Sequence, residues 1–180
     1  MKLVVYRDKK SFDFRVNPNR KDSFENNWKN NSIDWLVLMD DSGNELFRAR
    51  CQSVANYCFG DMATADSVAH GDTVVAGEFK VKLFVEPRNF HGEIHAITET
   101  RDIDGQWIDR NAMQTTAGGF QNGRWLIHDR FSQKNGKDTN YAWSAGCIIL
   151  SSFDLEGLNV VLHSFKCQPG DIIPGEIIES

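Results

Sequence analysis

The 180-residue chain has only four prolines and four cysteines, no excess of positive charge and no long apolar run. Each shortage excludes something. Scattered prolines leave no Pro-rich linker, and with no internal repeat or low-complexity tract the length suits a single domain, 1–180, with its own core. The cysteines, at 51, 58, 147 and 167, form no CxxC pair, so neither a disulfide scaffold nor a zinc ribbon is expected and a reducing compartment at synthesis fits best. Twenty Lys and Arg against 25 Asp and Glu give a net charge of −5, which argues against nucleic acid as a partner. The apolar run before Arg7 is only four uninterrupted residues, Leu3 to Tyr6, too few for a signal peptide, and no later run approaches a membrane span. The expectation is a chain made in the cytoplasm without a signal peptide.

What the chain does have is short β-branched and aromatic runs between turn dipeptides: Leu3 to Tyr6, Phe12 to Val16, Trp35 to Met39, Glu45 to Cys51, Thr73 to Val85, Glu93 to Thr98, Arg124 to His128, Cys147 to Leu150 and Asn159 to Phe165. Ser42-Gly43, Asp104-Gly105, Asn122-Gly123 and Asn135-Gly136 lie between them, and the Asn-Gly and Asp-Gly pairs suit tight hairpins that need positive φ. The pattern predicts a mainly β architecture. The stretch 17–32, polar and Asn-rich with Phe24 and Trp28 four apart, reads as a loop or a short surface helix, and 53–69 is the other place for a helix. The stretch Thr73 to Val85 alternates as a long half-buried strand carrying Gly77.

One cysteine has unusual surroundings. Cys147 follows Trp143-Ser144-Ala145-Gly146 and precedes Ile148-Ile149-Leu150, at the junction of a small-residue loop and a buried strand. Small residues at 145 and 146 let backbone N–H groups approach a substrate carbonyl, as an oxyanion hole requires. Upstream, Arg124-Trp125-Leu126-Ile127-His128 is a short strand that delivers a histidine to a loop beginning Asp129-Arg130. A histidine at one strand end facing a thiol at another is the arrangement that generates a thiolate nucleophile.

These residues resemble the L,D-transpeptidase catalytic domain family, whose fingerprint is a His, about fifteen residues, then Ser/Thr-His-Gly-Cys and an apolar residue. His128, fifteen intervening residues, and Ser144-Ala145-Gly146-Cys147-Ile148 follow it in order and spacing. Val75-Ala76-Gly77-Glu78-Phe79 occupies the place of that family's Pro-x-Gly-x-Phe/Tyr strand, with Val for Pro. The resemblance covers roughly residues 70 to 155. Two positions depart from it: the family's second His is Ala145, and its Arg or Asn two residues after the nucleophile is Ile149. The ending Gly-Cys-Ile-Ile-Leu is similar to divergent members in phage lysis genes and antibacterial effectors.

The resemblance implies a β-sandwich or barrel with one or two short helices, an N-terminal β extension over 1–69 and a catalytic part over 70–180. It also implies a cofactor-free carboxypeptidase or transpeptidase acting on peptidoglycan stem peptides, in the cell wall or periplasm if the chain is delivered there. Cys147 would attack the carbonyl of a meso-diaminopimelate-type residue and release the terminal D-amino acid, while His128 carries the proton. The Asp129 backbone carbonyl would orient the imidazole, and the amides of Gly146 and Cys147 would bind the oxyanion. Ser144, Trp143, Tyr141 and Arg130 could line the groove, Arg130 being suited to a carboxylate. Loss of polar groups at 145 and 149 favours water over a second amine as acceptor. Phage lysis, secretion and recycling of wall fragments stay open as routes to the substrate, as does any delivery or immunity partner.

Other readings compete. Papain-type peptidases place Cys before His, and a caspase-like reading could borrow His91-Gly92 but finds no matching nucleophile signature in Ser-Ala-Gly-Cys. His91, Glu93 and His95 would share one face of a strand and form the one metal-like motif, although histidines on an exposed strand are the commoner explanation. His163 is expected in a core or strand. Asp102-Ile103-Asp104-Gly105 begins like a calcium loop but lacks the later ligands, so a solvated hairpin tip is expected. Cys51, Cys58 and Cys167 are expected to be buried packing residues. The alternative from another class is a catalytically inactive module that binds peptidoglycan peptide or a protein on the same fold.

Overall fold

The computed structural model describes residues 1–13, 33–54, 73–85, 93–109, 125–129, 144 and 146–180. Among them are nine strands: β1 (Lys2–Arg7), β2 (Asp34–Met39), β3 (Glu45–Cys51), β4 (Gly77–Val85), β5 (Ile94–Arg101), β6 (Trp107–Asp109), β7 (Leu126–His128), β8 (Ile148–Ile149) and β9 (Ile172–Glu179). One α-helix, α1 (Ser152–Ser164), and a 3-10 turn, Lys9–Asp13, complete the described elements. The fold is mainly β.

The strands form one sheet in the order β3-β2-β1-β9-β4-β5-β7-β8, with β6 added on β5. The pairs β1–β9 and β7–β8 are parallel and the others antiparallel. The sheet's two ends meet. Gln52, one residue past β3, donates its N–H to the Ile149 carbonyl at 2.9 Å and accepts from the Ile149 N–H at 3.0 Å. This bridge gives the sheet its nearly closed, barrel-like form and removes unpaired edges at the seam. Residues 1–69, expected as an extension, supply β1–β3 to this same sheet, with β1 between β2 and β9.

Period-two alternation fills the inside. Leu3 and Val5 of β1, Leu36 and Leu38 of β2, and Ala49 and Cys51 of β3 all enter the core, and the registers Val5↔Leu36↔Ala49 and Leu3↔Leu38 stack them in rows. Across the sheet they meet Phe79, Val81 and Leu83 of β4, Ile94 and Ile97 of β5, Ile127 and Ile148. Gly175 of β9 pairs with Phe79, and a β-carbon there would come within 2.2 Å of the Phe79 ring, so glycine makes the room that the ring fills.

The turn expectations fare well where they fall on described residues. Gly43 (φ +82°) turns β2 into β3, and Gly105 (φ +80°) turns β5 into β6 with Asp102 N–H donating to Gln106 O at 2.9 Å. The 102–105 segment is therefore a hairpin tip. The candidate helices at 17–32 and 53–69 and the two Asn-Gly turns lie wholly or almost wholly outside the described residues.

Three segments differ from expectation. Lys9–Asp13 is a 3-10 turn where a β run was expected to begin at Phe12. Strand β9 was not anticipated, because Pro174-Gly175 interrupts its apolar pattern. The run Asn159 to Phe165, expected as a strand, forms the end of α1 with Phe165 as its C-cap. There the cap overrides β propensity: Ser151 Oγ accepts from Asp154 N–H at 3.1 Å and donates to the Asp154 carboxylate at 2.7 Å, and Leu155, Leu158 and Leu162 join the core at helical spacing. No described helix is long and apolar enough to cross a membrane.

Candidate active site

Strands β7 and β8 bring His128 and Cys147 to neighbouring positions. The parallel register pairs Ile127 with Ile148 and His128 with Ile149, and Leu150 N–H donates to the His128 carbonyl at 3.0 Å. Continued one residue back, this pairing sets Cys147 beside Leu126, diagonal to His128 and on the same face of the sheet. Leu126 N–H points at the Cys147 sulfur at 3.4 Å. A backbone donor aimed at sulfur favours the thiolate over the thiol.

His128 is buried, and its Nδ1 lies 2.5 Å from the Asp129 carbonyl oxygen. A carbonyl can only accept, so Nδ1 carries the hydrogen and Nε2 of the neutral ring is left as the proton acceptor. The residue pair therefore contains a ring fixed in orientation and tautomer beside a half-buried thiol. Chemically, an imidazole and a thiol on adjoining strand ends are able to act as base and nucleophile.

The loop before Cys147 is shaped by two features. Gly146 has φ +140°, a conformation that side chains disfavour, which accounts for glycine at that position. Ser144 is buried and its hydroxyl spans the bend, accepting from Gly146 N–H at 2.9 Å and donating to the Cys147 carbonyl at 2.5 Å. The Gly146 amide, expected to stand open to an oxyanion, is engaged by Ser144, and the Ser144 hydroxyl bonds within the loop itself. Trp143, Tyr141, Arg130 and Ala145 lie outside the described residues.

Asp129 was singled out for its backbone, yet its side chain has a feature the sequence did not signal. It is 5% exposed, and among the described residues no donor reaches its Oδ1.

The metal-like motif has other partners. His95 is fully buried, which corrects the expected exposed strand face: Phe84 N–H donates to its Nδ1 at 3.1 Å, and its Nε2–H donates to Asn159 Oδ1 at 2.8 Å. Burial pulls its pKa from 6.5 down to about 4, so the ring is neutral. Glu93 pairs with His163 at 2.7 Å, and His163 is an exposed residue of α1 stacked on Phe84, not a core or strand residue. His91 lies outside the described residues, among which no group of three or more His, Cys, Asp or Glu gathers as a metal site. Burial raises the pKa of Cys51 well above the ordinary thiol value and that of Cys167 more modestly. Cys51 is fully buried and Cys167 packs partly buried against the core, while Cys58 lies outside the described residues.

No family model and no solved structure matches the chain. A protein of Treponema pallidum (strain Nichols), described as uncharacterized, is 54% identical over 179 residues, which is 99% of this chain and 80% of its own length. At that identity and coverage the chain belongs to the same family as the Treponema pallidum protein.

Proposed function

We propose that the protein is a cysteine-dependent enzyme of peptidoglycan stem peptides that works through a Cys147–His128 acyl-enzyme, with hydrolysis favoured over cross-linking. The Cys147 thiolate attacks the carbonyl of a meso-diaminopimelate-type residue. The C–N bond to the terminal D-amino acid breaks, and His128 returns to the leaving amine the proton it took from the thiol. Water then cleaves the thioester, releasing the shortened peptide and the thiol. The observation that carries this reading is the Nδ1–H bond from His128 to the Asp129 carbonyl, which leaves Nε2 as base on the strand next to Cys147.

Ala145 and Ile149 stand where polar groups would hold an acceptor amine, and water needs no such holding. Incubation with tetrapeptide fragments and excess free D-amino acid, read by mass spectrometry, should give mostly tripeptide. Cys147→Ser should abolish release, because a serine paired with a lone imidazole is a far weaker nucleophile than a thiolate. Release undiminished in Cys147→Ser would overturn the nucleophile, and dominant exchanged or 3,3-linked product would overturn the preference for hydrolysis.

One observation favours the second reading, a non-catalytic binding module. The Gly146 amide is already donated to Ser144 Oγ, which removes one of two expected oxyanion donors. Such a module would bind the peptide unchanged and would have no use for a reactive thiol.

A further inference from the structure

A bulky side chain on a residue at positive φ marks a backbone outlier, and proteins keep such strain where something else depends on it. Among the described residues three that are not glycine stand there: Phe84 (φ +50°), Trp125 (φ +64°) and Lys166 (φ +60°). Two have plain structural tasks. Phe84 lies in the bulge where Leu83 and Phe84 together oppose His95, the register slipping between Lys82 and Val85. Lys166 follows the Phe165 cap of α1 and donates its N–H to the His163 carbonyl at 2.8 Å. Trp125 serves neither a bulge nor a helix end. It stands one residue before β7 in unbroken register with β5: Ile97 N–H donates to the Trp125 carbonyl at 2.9 Å, and Leu126 and Ile127 pair with Ala96 and His95. Its side chain is fully buried in the core. What this strained residue controls is the peptide that follows it. Hydrogen-bonded pairs alternate along an antiparallel ladder, so with Trp125 bonded to β5, Leu126 turns its own N–H away from β5 and toward the β8 side. There that N–H meets the Cys147 sulfur at 3.4 Å.

We propose that Trp125 is a positioning residue for Cys147: its buried side chain holds the backbone left-handed, so that the Leu126 N–H stays aimed at the sulfur and favours the thiolate. This deepens the Cys–His reading above and rests on it. His128 takes the proton, and the Leu126 N–H is a fixed dipole on the sulfur left behind. Of the groups presented to Cys147 by the described strands, His128 of β7 is titratable and Ala96 of β5, opposite Leu126, adds no charge. The Asp129 side chain lies on the other face of the sheet.

The test reads the pH midpoint of Cys147 alkylation in the full chain, with thermal unfolding alongside. Trp125→Ala and Trp125→Gly both empty the indole site, but only glycine adopts positive φ at no steric cost. The midpoint should rise by about one pH unit in Trp125→Ala, the size of one hydrogen bond to a charged group, and Trp125→Gly should recover about half of that rise or more although it is no more stable. A purely structural Trp125 would move the two variants together, so equal midpoints overturn the proposal. Should neither variant fold, replacing the Trp125–Leu126 amide by an ester removes the donor through which Trp125 acts and retains every side chain. The ester protein should show the same rise of about one unit, and a wild-type midpoint there overturns the proposal. If wild-type Cys147 reacts only as an ordinary thiol, above about pH 8, the Cys–His reading fails and takes this inference with it; a reactive wild type beside an unmoved ester protein overturns the role of Trp125 alone.

Discussion

Two buried aspartates occupy one stretch of the sheet and are treated in opposite ways. Asp34 opens β2 opposite Cys51; the next residue, Gln52, bridges Ile149, and Ile149 pairs with His128, whose neighbour is Asp129. Four donors converge on Asp34. Beside it the buried Arg7 guanidinium reaches Ser53 Oγ, Ser53 O and Val74 O, each at 2.9 Å, and Glu179 at 3.4 Å. Burial lowers the Arg7 pKa, and Asp34 and Glu179 partly offset it. Asp129 Oδ1 has no donor among the described residues, and it is the backbone carbonyl of Asp129 that meets the imidazole. Among the described residues one buried carboxylate is saturated with donors and the other has an oxygen that none reaches.

The sharpest way to break this contrast is to remove the charge at each end. Arg7→Ala should cost about 3–5 kcal/mol, since it leaves Asp34 and Glu179 without their cation and strips donors from Ser53 and Val74. Asp129→Asn should change stability by less than about 1 kcal/mol or raise it, because among the described residues no donor reaches its Oδ1. Urea titrations followed by circular dichroism check both. Equal losses would mean that Asp129 is as structural as Asp34.

The next effect in size belongs to the clamp between α1 and the β4–β5 hairpin. His95 is neutral in the folded protein with a pKa of about 4, against 6.5 when exposed, so between those values the unfolded chain binds a proton that the native state refuses. Stability is complete above about pH 6.5 and should fall by roughly 3 kcal/mol as the pH drops to 4. His95→Gln should flatten that slope, and an unchanged slope would assign it to other groups. The exposed Glu93–His163 pair beside it should matter least. Glu93→Gln is expected to shift stability by about 0.5 kcal/mol or less, because solvent screens two half-exposed partners.

How much of this could be read from the residues follows from how local each signal is. Strands β2 and β3 and the Asp104-Gly105 turn rest on alternation and on positive φ at glycine, both local properties. The closure through Gln52 and Ile149 joins residues 97 apart and has no local signature. Helix α1 was hidden by β-branched Val160 and Val161 and revealed by the Ser151–Asp154 cap, and β9 was hidden by a glycine whose purpose is set by Phe79 on another strand. At the site, spacing singled out His128 and Cys147. It could not show that Ser144 occupies the Gly146 amide or that no donor among the described residues reaches Asp129 Oδ1, because both depend on where the chain turns.

The pairing of His128 with Cys147 meets its most direct test in thiol alkylation. The protein is treated with limiting iodoacetamide between pH 5.5 and 9, and each cysteine is followed by peptide mapping. Cys147 should be modified first, at a rate already substantial below pH 7, while the fully buried Cys51 stays unmodified in the folded protein. His128→Ala should shift the Cys147 profile toward the alkaline behaviour of an ordinary thiol. If Cys147 reacts only above pH 8 in the wild type, and His128→Ala leaves its profile unmoved, the two residues do not form a reactive pair.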